Sequence, residues 1–274
     1  MTKHTQTHPF LKWAGGKRQL IPQMDKFFPK KYNKYIEPFI GGGAVFFYLL
    51  PENSIISDNN PDLINCYKVV KEDVEGLIES LKKHRYEKDY YYEIRSLDRD
   101  QNQYAELSDV EKASRSIYLN KSGYNGLYRV NSKGLFNVPF GRHKNPKICD
   151  EENLRKVSIV LKNVKIVLGS FEICLDFAEK DDFVYLDPPY YPLSDTALFT
   201  SYTKNSFDKS SQIKLHEVFK ELDNRGCKIV LSNSYSEFIL DLYKDFKIVT
   251  LKAKRNINSN SQKRGLINEV LILN

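Results

Sequence analysis

Residues 183 to 191 read FVYLDPPYY. The uninterrupted apolar run Phe183 to Leu186 predicts a short strand buried on both faces, as in the interior of a parallel sheet. Asp187-Pro188-Pro189-Tyr190 then ends it abruptly. Consecutive prolines remove two N–H donors and hold the preceding residues extended, so the strand tip offers carbonyl and carboxylate oxygens beside an aromatic ring. Such a tip suits an amino group on a flat ring: the Asp187 carboxylate and Pro188 carbonyl can accept its N–H bonds while Tyr190 stacks on the ring. Two prolines also make an ordinary turn, so the surrounding sequence has to decide.

Working outward, short β-branched runs recur at Ser54 to Ser57, Val164 to Leu168, Lys228 to Leu231 and Val270 to Leu273. Helical spacing of apolar residues lies between several of them. One helix is predicted over Pro61 to Lys83 behind an Asn60-Pro61 start, and another over Gln212 to Leu222. Buried strands alternating with helices predict an α/β fold, an open, mostly parallel sheet with helices on both faces. The window from about Arg85 to Asp150 breaks that rhythm. It opens on an aromatic-rich helical pattern (Tyr90, Tyr91, Tyr92, Ile94, Leu97) and ends in a segment rich in Gly, Asn and Pro, so it reads as an inserted, mainly helical lobe.

Composition bounds the remaining choices. With 274 residues, 41% hydrophobic and 28% charged, the chain can bury one core with a small lobe attached, which excludes a disordered protein. Its longest apolar run, Ala44 to Leu50, falls far short of the roughly 20 residues of a membrane-spanning helix. The opening MTKHTQTHPF has no apolar stretch behind its basic residues, so no signal peptide and a cytoplasmic location are expected. Cys66, Cys149, Cys174 and Cys227 form no CxxC pair and the histidines do not cluster, so reduced thiols and no metal are expected.

Charge is unevenly distributed. From Lys112 to Cys149 there are eight basic residues (Lys112, Arg115, Lys121, Arg129, Lys133, Arg142, Lys144, Lys147) and no carboxylate, so this window outweighs the whole-chain charge of +7. Phe246 to Asn268 is likewise free of acids, with Lys247, Lys252, Lys254, Arg255, Lys263 and Arg264, and no acid precedes Asp25. Interleaved with the cations are Asn120, Asn125, Asn131 and Asn137, amides that can read base edges. A polyanion as the missing counter-charge is the expectation.

The stretch YIEPFIGGGAVFF (Tyr35 to Phe47) places glycines between a short strand and an apolar helical run, where backbone can approach a ligand closely. It is not GxGxxG, because Phe46 occupies the last glycine position. Asp58 ends the next strand, where an acid can accept hydrogen bonds from ribose hydroxyls, although a turn followed by a capping Asp would use the same residues. FLKWAGGK (Phe10 to Lys17) fails as a phosphate loop: Leu11 stands where the first glycine belongs and Arg18 where Ser or Thr belongs.

Taken in order, FLKWAGGK, EPFIGGGAVFF, NGLYRVNSKGLFNVPFGR and LDPPY resemble the Dam/DpnII-type DNA adenine-N6 methyltransferases that act on GATC, over nearly the whole chain from Phe10 to Leu273. The resemblance implies methyl transfer from S-adenosyl-L-methionine to N6 of an adenine flipped from duplex DNA. It implies a seven-stranded methyltransferase sheet, with 1–60 and 150–274 as the catalytic and cofactor-binding domain. It implies a target-recognition domain over 61–149, with its basic Gly/Asn-rich segment at 120–147. By the same resemblance Asp187, Pro188, Pro189 and Tyr190 match the catalytic tetrad. Trp13, Lys17, Glu37, Phe39, Gly41, Gly43, Asp58, Phe171 and Asp187 match cofactor-binding positions. Lys12, Tyr124, Asn125, Leu127, Arg129, Asn137, Pro139 and Arg142 match the DNA interface, with Arg129 as guanine reader and Tyr124 as the wedge near the flipped base. An arginine bidentate to guanine is in any case the commonest specific base contact. The chain departs from the pattern at Ser170, where relatives often carry an acid, at His143, where Tyr is frequent, and at Lys121-Ser122.

Other acceptors, RNA adenine or a protein glutamine, stay open from the residues alone, as does a non-catalytic DNA-binding protein. Asp187 in place of Asn counts against glutamine, and the intact tetrad against loss of catalysis. A monomer on double-stranded DNA is expected, either solitary or encoded beside a restriction endonuclease with which it forms no stable complex.

Overall fold

The computed structural model describes residues 7–192, 207–254 and 266–274. The strands are β1 (Tyr35–Glu37), β2 (Ser54–Asp58), β3 (Lys165–Leu168), β4 (Phe183–Leu186), β5 (Lys228–Ser234), β6 (Lys247–Lys254) and β7 (Leu266–Leu273). They form one sheet in the order β3-β2-β1-β4-β5-β7-β6. Pairings β1–β2, β1–β4 and β4–β5 are parallel, while β7 runs antiparallel to both β5 and β6. This is the mostly parallel α/β sheet expected from the alternation of strands and helices. All of β4 is buried, as its unbroken apolar run requires, and each such side chain contributes about 1.5–3 kcal/mol by leaving water.

Two elements differ from expectation. The single helix over Pro61 to Lys83 is two, Pro61–Glu72 and Val74–Lys82. Asp73 leaves helical geometry (φ −143°), and its carboxylate accepts from the Gly76 N–H at 3.0 Å, capping the second helix. A capping acid costs the ladder little because it replaces the lost backbone partner, and apolar spacing alone does not register it. The other difference is β6, whose residues fall in an acid-free stretch with no strand expected there. Lys247 and Lys252 are exposed on this edge strand, where lysine discourages further strand pairing, so part of that positive charge has a structural use. Arg255, Lys263 and Arg264 lie outside the described residues.

By contacts the chain divides into two compact units. The first comprises Met1–Gly16, Gly41–Leu50 and Asp58–Leu168, and the second Lys17–Ile40, Pro51–Ser57 and Gly169–Asn274. In the first, the helix Asp109–Ser122 packs on Pro61–Glu72 and Val74–Lys82, burying Leu63, Tyr67, Leu77 and Ile117. A second cluster of Tyr91, Tyr118, Leu119, Phe136 and Val138 supports an irregular ribbon closed by the bridges Gly123↔Phe140 and Val130↔Phe136. Asp98 ties the ribbon down: its Oδ2 accepts from the Phe136 N–H at 2.8 Å and from Arg115 Nη2 at 2.9 Å, and Arg99 pairs with its other oxygen.

That arrangement supplies counter-charge to part of the Lys112 to Cys149 window, for which a polyanion is the expected partner. Arg115 is 3% exposed and neutralised by Asp98, and Lys147 pairs with Asp150 at 2.6 Å. A segment without acids is still paired in space when the fold brings acids from elsewhere. Arg129, Lys133, Arg142 and Lys144 remain exposed. Among the described residues no helix is long and apolar enough to cross a membrane.

Candidate active site

The second unit builds the strand tip. β4 lies between β1 and β5, and at Leu186 the chain turns out into Asp187-Pro188-Pro189-Tyr190. One oxygen of Asp187, Oδ1, is occupied twice: Lys17 Nζ lies 2.7 Å away and Ser232 Oγ donates to it at 2.9 Å. Ser232 has a single proton, which goes to Asp187, so the Tyr185 hydroxyl 2.9 Å away donates to Ser232 in turn. Among the described residues no donor reaches Asp187 Oδ2 or the Pro188 carbonyl. The Pro189 carbonyl is taken, by Gln212 Nε2 at 2.9 Å.

Gln212 is itself fixed, its Oε1 accepting from Asn233 Nδ2 at 3.0 Å, while Asn233 Oδ1 accepts from the Tyr191 N–H at 3.3 Å. Both amides are fully buried. The tetrad therefore sits on a connected, buried polar network in which both amides have partners, and such pairing is what makes a buried network rigid rather than costly. The Tyr190 hydroxyl donates to Glu269 Oε2 at 2.6 Å, and Lys17 Nζ lies 4.6 Å from its ring centroid. Burial first, then the negative charges of Asp187 and Glu269, push the Tyr190 phenol well above its ordinary range, so it stays a neutral donor.

Other expected cofactor positions lie in the same unit. Lys17, 4% exposed, has its ammonium at Asp187. Glu37 ends β1, buried, and accepts from the Tyr35 hydroxyl at 2.7 Å. Phe39 and Phe171 stack on one another (5.6 Å, 20°), with Phe207 edge-on to both.

The first unit gathers the rest. Gly41 and Gly43 take positive φ (45° and 73°), which other residues adopt only with strain. A side chain on Gly41 would put its Cβ 2.8 Å from Trp13 Cδ1, and one on Gly43 would lie 2.7 Å from the Tyr67 hydroxyl, so the turn leaves no room for one. Asp58 Oδ2 accepts from the Gly41 N–H at 3.1 Å and its Oδ1 from the Asn60 N–H at 3.0 Å. Burial raises the Asp58 pKa, and the N–H groups of Gly41, Asn60 and Asn59 oppose that rise. The carboxylate is thus oriented by backbone N–H groups.

The expected DNA residues fall on the ribbon and beside it. Tyr124 is 52% exposed, Asn125 has φ +55°, and Pro139 and Arg142 are exposed, while Leu127 is half-buried. Arg129 and Asn137 face one another: Arg129 Nε donates to Asn137 Oδ1 at 2.6 Å and Nη2 to the Asn137 carbonyl at 3.1 Å. Lys12 is exposed, with its backbone N–H and carbonyl both paired to the Asn120 side chain at 2.9 and 2.8 Å. Sequence reasoning missed Ser232, Gln212, Asn233 and Glu269. The available signal was Ser232-Asn233-Ser234, three polar residues continuing the apolar strand KIVL and all buried in β5.

The mostly parallel sheet, with the Asp-Pro-Pro-Tyr tip at the end of its central strand, is the arrangement expected of a methyltransferase that acts on an amine, and the family comparison shows that class. The chain matches the model of the D12 class N6 adenine-specific DNA methyltransferases over residues 13–257 and belongs to that family. It is 49% identical to the Type II methyltransferase M1.LlaDCHI of Lactococcus lactis subsp. cremoris, over 97% of this chain and 95% of that protein. It is 50% identical to the Type II methyltransferase M.MjaIII of Methanocaldococcus jannaschii, over 98% and 99%. It is 38% identical to the DNA adenine methylase of Haemophilus influenzae, over 97% and 93%.

Proposed function

We propose that this DNA adenine methyltransferase uses S-adenosylmethionine to methylate N6 of the adenine in GATC, flipped from the duplex onto the Asp187 to Tyr190 tip. The observation that carries this reading is the division of labour at that tip. Asp187 Oδ1 and the Pro189 carbonyl are already occupied, whereas among the described residues no donor reaches Asp187 Oδ2 or the Pro188 carbonyl, the two acceptors that the N–H bonds of an exocyclic amine would use. Accepting both N–H bonds turns the nitrogen lone pair out of conjugation with the purine ring. Positive charge that develops on nitrogen then meets a carboxylate already held in place, which is electrostatic stabilisation without reorganisation. Tyr190, anchored by Glu269, offers its ring for stacking.

The residues present fit the cofactor: the Gly41 to Gly43 turn excludes side chains, and Asp58 is held by backbone N–H groups. Bound there, the cofactor supplies an electrophilic sulfonium methyl group. Trp13, Gly41, Gly43 and Asp58, with Lys17, Glu37, Phe39 and Phe171, are the proposed contacts. On DNA, Arg129 reads guanine with the guanidinium edge that Asn137 leaves open. Tyr124 is the wedge, and Lys12, Asn125, Leu127, Pro139 and Arg142 complete the interface. The higher identity to Type II methyltransferases than to the DNA adenine methylase favours a restriction-modification role in the cytoplasm, with an endonuclease as genetic companion.

The test is sequencing that detects N6-methyladenine on plasmid DNA incubated with the enzyme and S-adenosylmethionine. Modification confined to GATC supports the whole reading. Modification at another motif keeps the chemistry and removes the site assignment, and an unmodified plasmid removes both.

A further inference from the structure

Within the first unit, the segment proposed to read bases and the segment proposed to hold the cofactor share one aromatic contact. Trp13 stacks on Tyr128, with ring centroids 5.3 Å apart and planes at 26°. Its indole edge meets the glycine turn, where a Cβ on Gly41 would lie 2.8 Å from Cδ1 and one on Gly42 3.3 Å from the Trp13 Cβ. Neither ring nor turn can shift far without the other, because a close-packed contact transmits displacement.

Tyr128 in turn is held at its far end, its hydroxyl donating to Asp62 Oδ2 at 2.9 Å. It sits between Leu127 and Arg129 in the chain, and the Arg129 carbonyl accepts from the Asn137 N–H at 2.9 Å. The residue before Trp13 is locked to the same loop. Asn120 pairs with both backbone groups of Lys12 and also donates to the Gly126 carbonyl at 3.0 Å, and a Cβ on Gly126 would lie 2.8 Å from the Lys12 Cβ. Lys12 and Trp13 are therefore joined to 126–128 by a ring stack, a shared amide and a close approach of the Lys12 side chain to Gly126 that leaves no room for a Cβ.

From this we infer that Tyr128 is a positioning residue that couples base reading to cofactor binding. Ordering the Leu127 to Arg129 segment on its DNA site also orders Trp13 and the glycine turn, so the ordering cost is met once for two ligands and each tightens the other. The inference rests on the function proposed above, since it takes Trp13 as a cofactor contact and Arg129 as a base reader. A Tyr128 with a purely structural role would weaken both ligands without changing their mutual effect.

The experiment is calorimetric binding of S-adenosylhomocysteine, with no DNA, with a GATC duplex and with a duplex lacking the site. For the wild type the GATC duplex is expected to tighten binding at least about 5-fold, the lower end of typical coupling, and the other duplex to do less. In Tyr128→Leu that ratio falls toward one, and in Tyr128→Phe, which keeps the stack, it is retained. Tyr128→Met fills the volume without a ring and replaces Tyr128→Leu if the latter does not fold. An undiminished ratio in the ringless variant overturns the inference, as does a wild type that methylates GATC yet shows no coupling. A wild type that binds no S-adenosylhomocysteine overturns the proposed function along with it.

Discussion

Ser232→Ala is the sharpest probe of how the tetrad is held, because it removes one atom that the reaction never touches. Ser232 Oγ donates to Asp187 Oδ1 at 2.9 Å and accepts from the buried Tyr185 hydroxyl. A hydrogen bond to a charged acceptor is worth about 1.5–3 kcal/mol. Lys17 stays in place, so the carboxylate keeps its ion pair but loses the contact that fixes its rotation. At roughly 1.4 kcal/mol per tenfold in rate, the single-turnover methyl-transfer rate should fall about 10- to 100-fold. DNA and cofactor affinities should change little, since Ser232 is buried, 2% exposed, and its hydroxyl bonds only to Asp187 and Tyr185 among the described residues. Tyr185 is 0% exposed and loses its acceptor, so unfolding should become easier by about 1–3 kcal/mol, read separately by denaturant titration. Ser232→Thr, which keeps the hydroxyl, should restore most of the rate. A wild-type single-turnover rate in Ser232→Ala would refute the argument that Oδ1 is spent on orientation so that Oδ2 can act.

Arg129→Ala should relax sequence choice, costing about 1–3 kcal/mol against the correct base, and Asn137→Ala should act in the same direction more weakly because it frees the guanidinium without removing it. Competition between matched and single-mismatch duplexes checks both. Arg115→Leu should cost about 3–5 kcal/mol of stability by leaving Asp98 short of a buried partner, while the dependence of DNA affinity on salt stays as in the wild type, where Arg142→Ala lowers that slope. Burial, with Lys12 nearby, pushes the Lys121 ammonium down to about 8. Its folded pKa lies below the unfolded one, so the charged form penalises the fold fully below pH 8 and the penalty fades as pH rises toward the ordinary lysine range. Lys121→Met should therefore be more stable than wild type at pH 7, with the difference shrinking above pH 8. Parallel stability profiles for the two proteins would contradict this.

Much of the fold was legible because β4 and the start of β5 are apolar and buried on both faces, which is the pattern that the continuous runs Phe183 to Leu186 and Ile229 to Leu231 report. What escaped was polar. Asp73 splits a helix that its apolar spacing predicts as continuous, since one capping carboxylate outweighs the periodicity at that point. Arg115 adds to the acid-free window in sequence, whereas in the fold it is paired with Asp98 from another stretch. The tetrad could be read from Asp187 to Tyr190 alone, yet Gln212 and Glu269 reach it through helix packing and strand pairing, which no local pattern encodes, and the polar run Ser232 to Ser234 marks buried residues without saying what they touch. The stack of Trp13 on Tyr128 joins positions 115 apart in the chain and was equally hidden.

The central claim is that the Asp187 carboxylate receives the target amine. It is tested most directly by transfer of a labelled methyl group from S-adenosylmethionine to a duplex with one GATC, comparing wild type with Asp187→Ala while DNA affinity is followed by fluorescence anisotropy. Label on adenine N6 with the wild type, and loss of transfer with DNA binding retained in Asp187→Ala, is the expected result. Transfer by Asp187→Ala at the wild-type rate would contradict it.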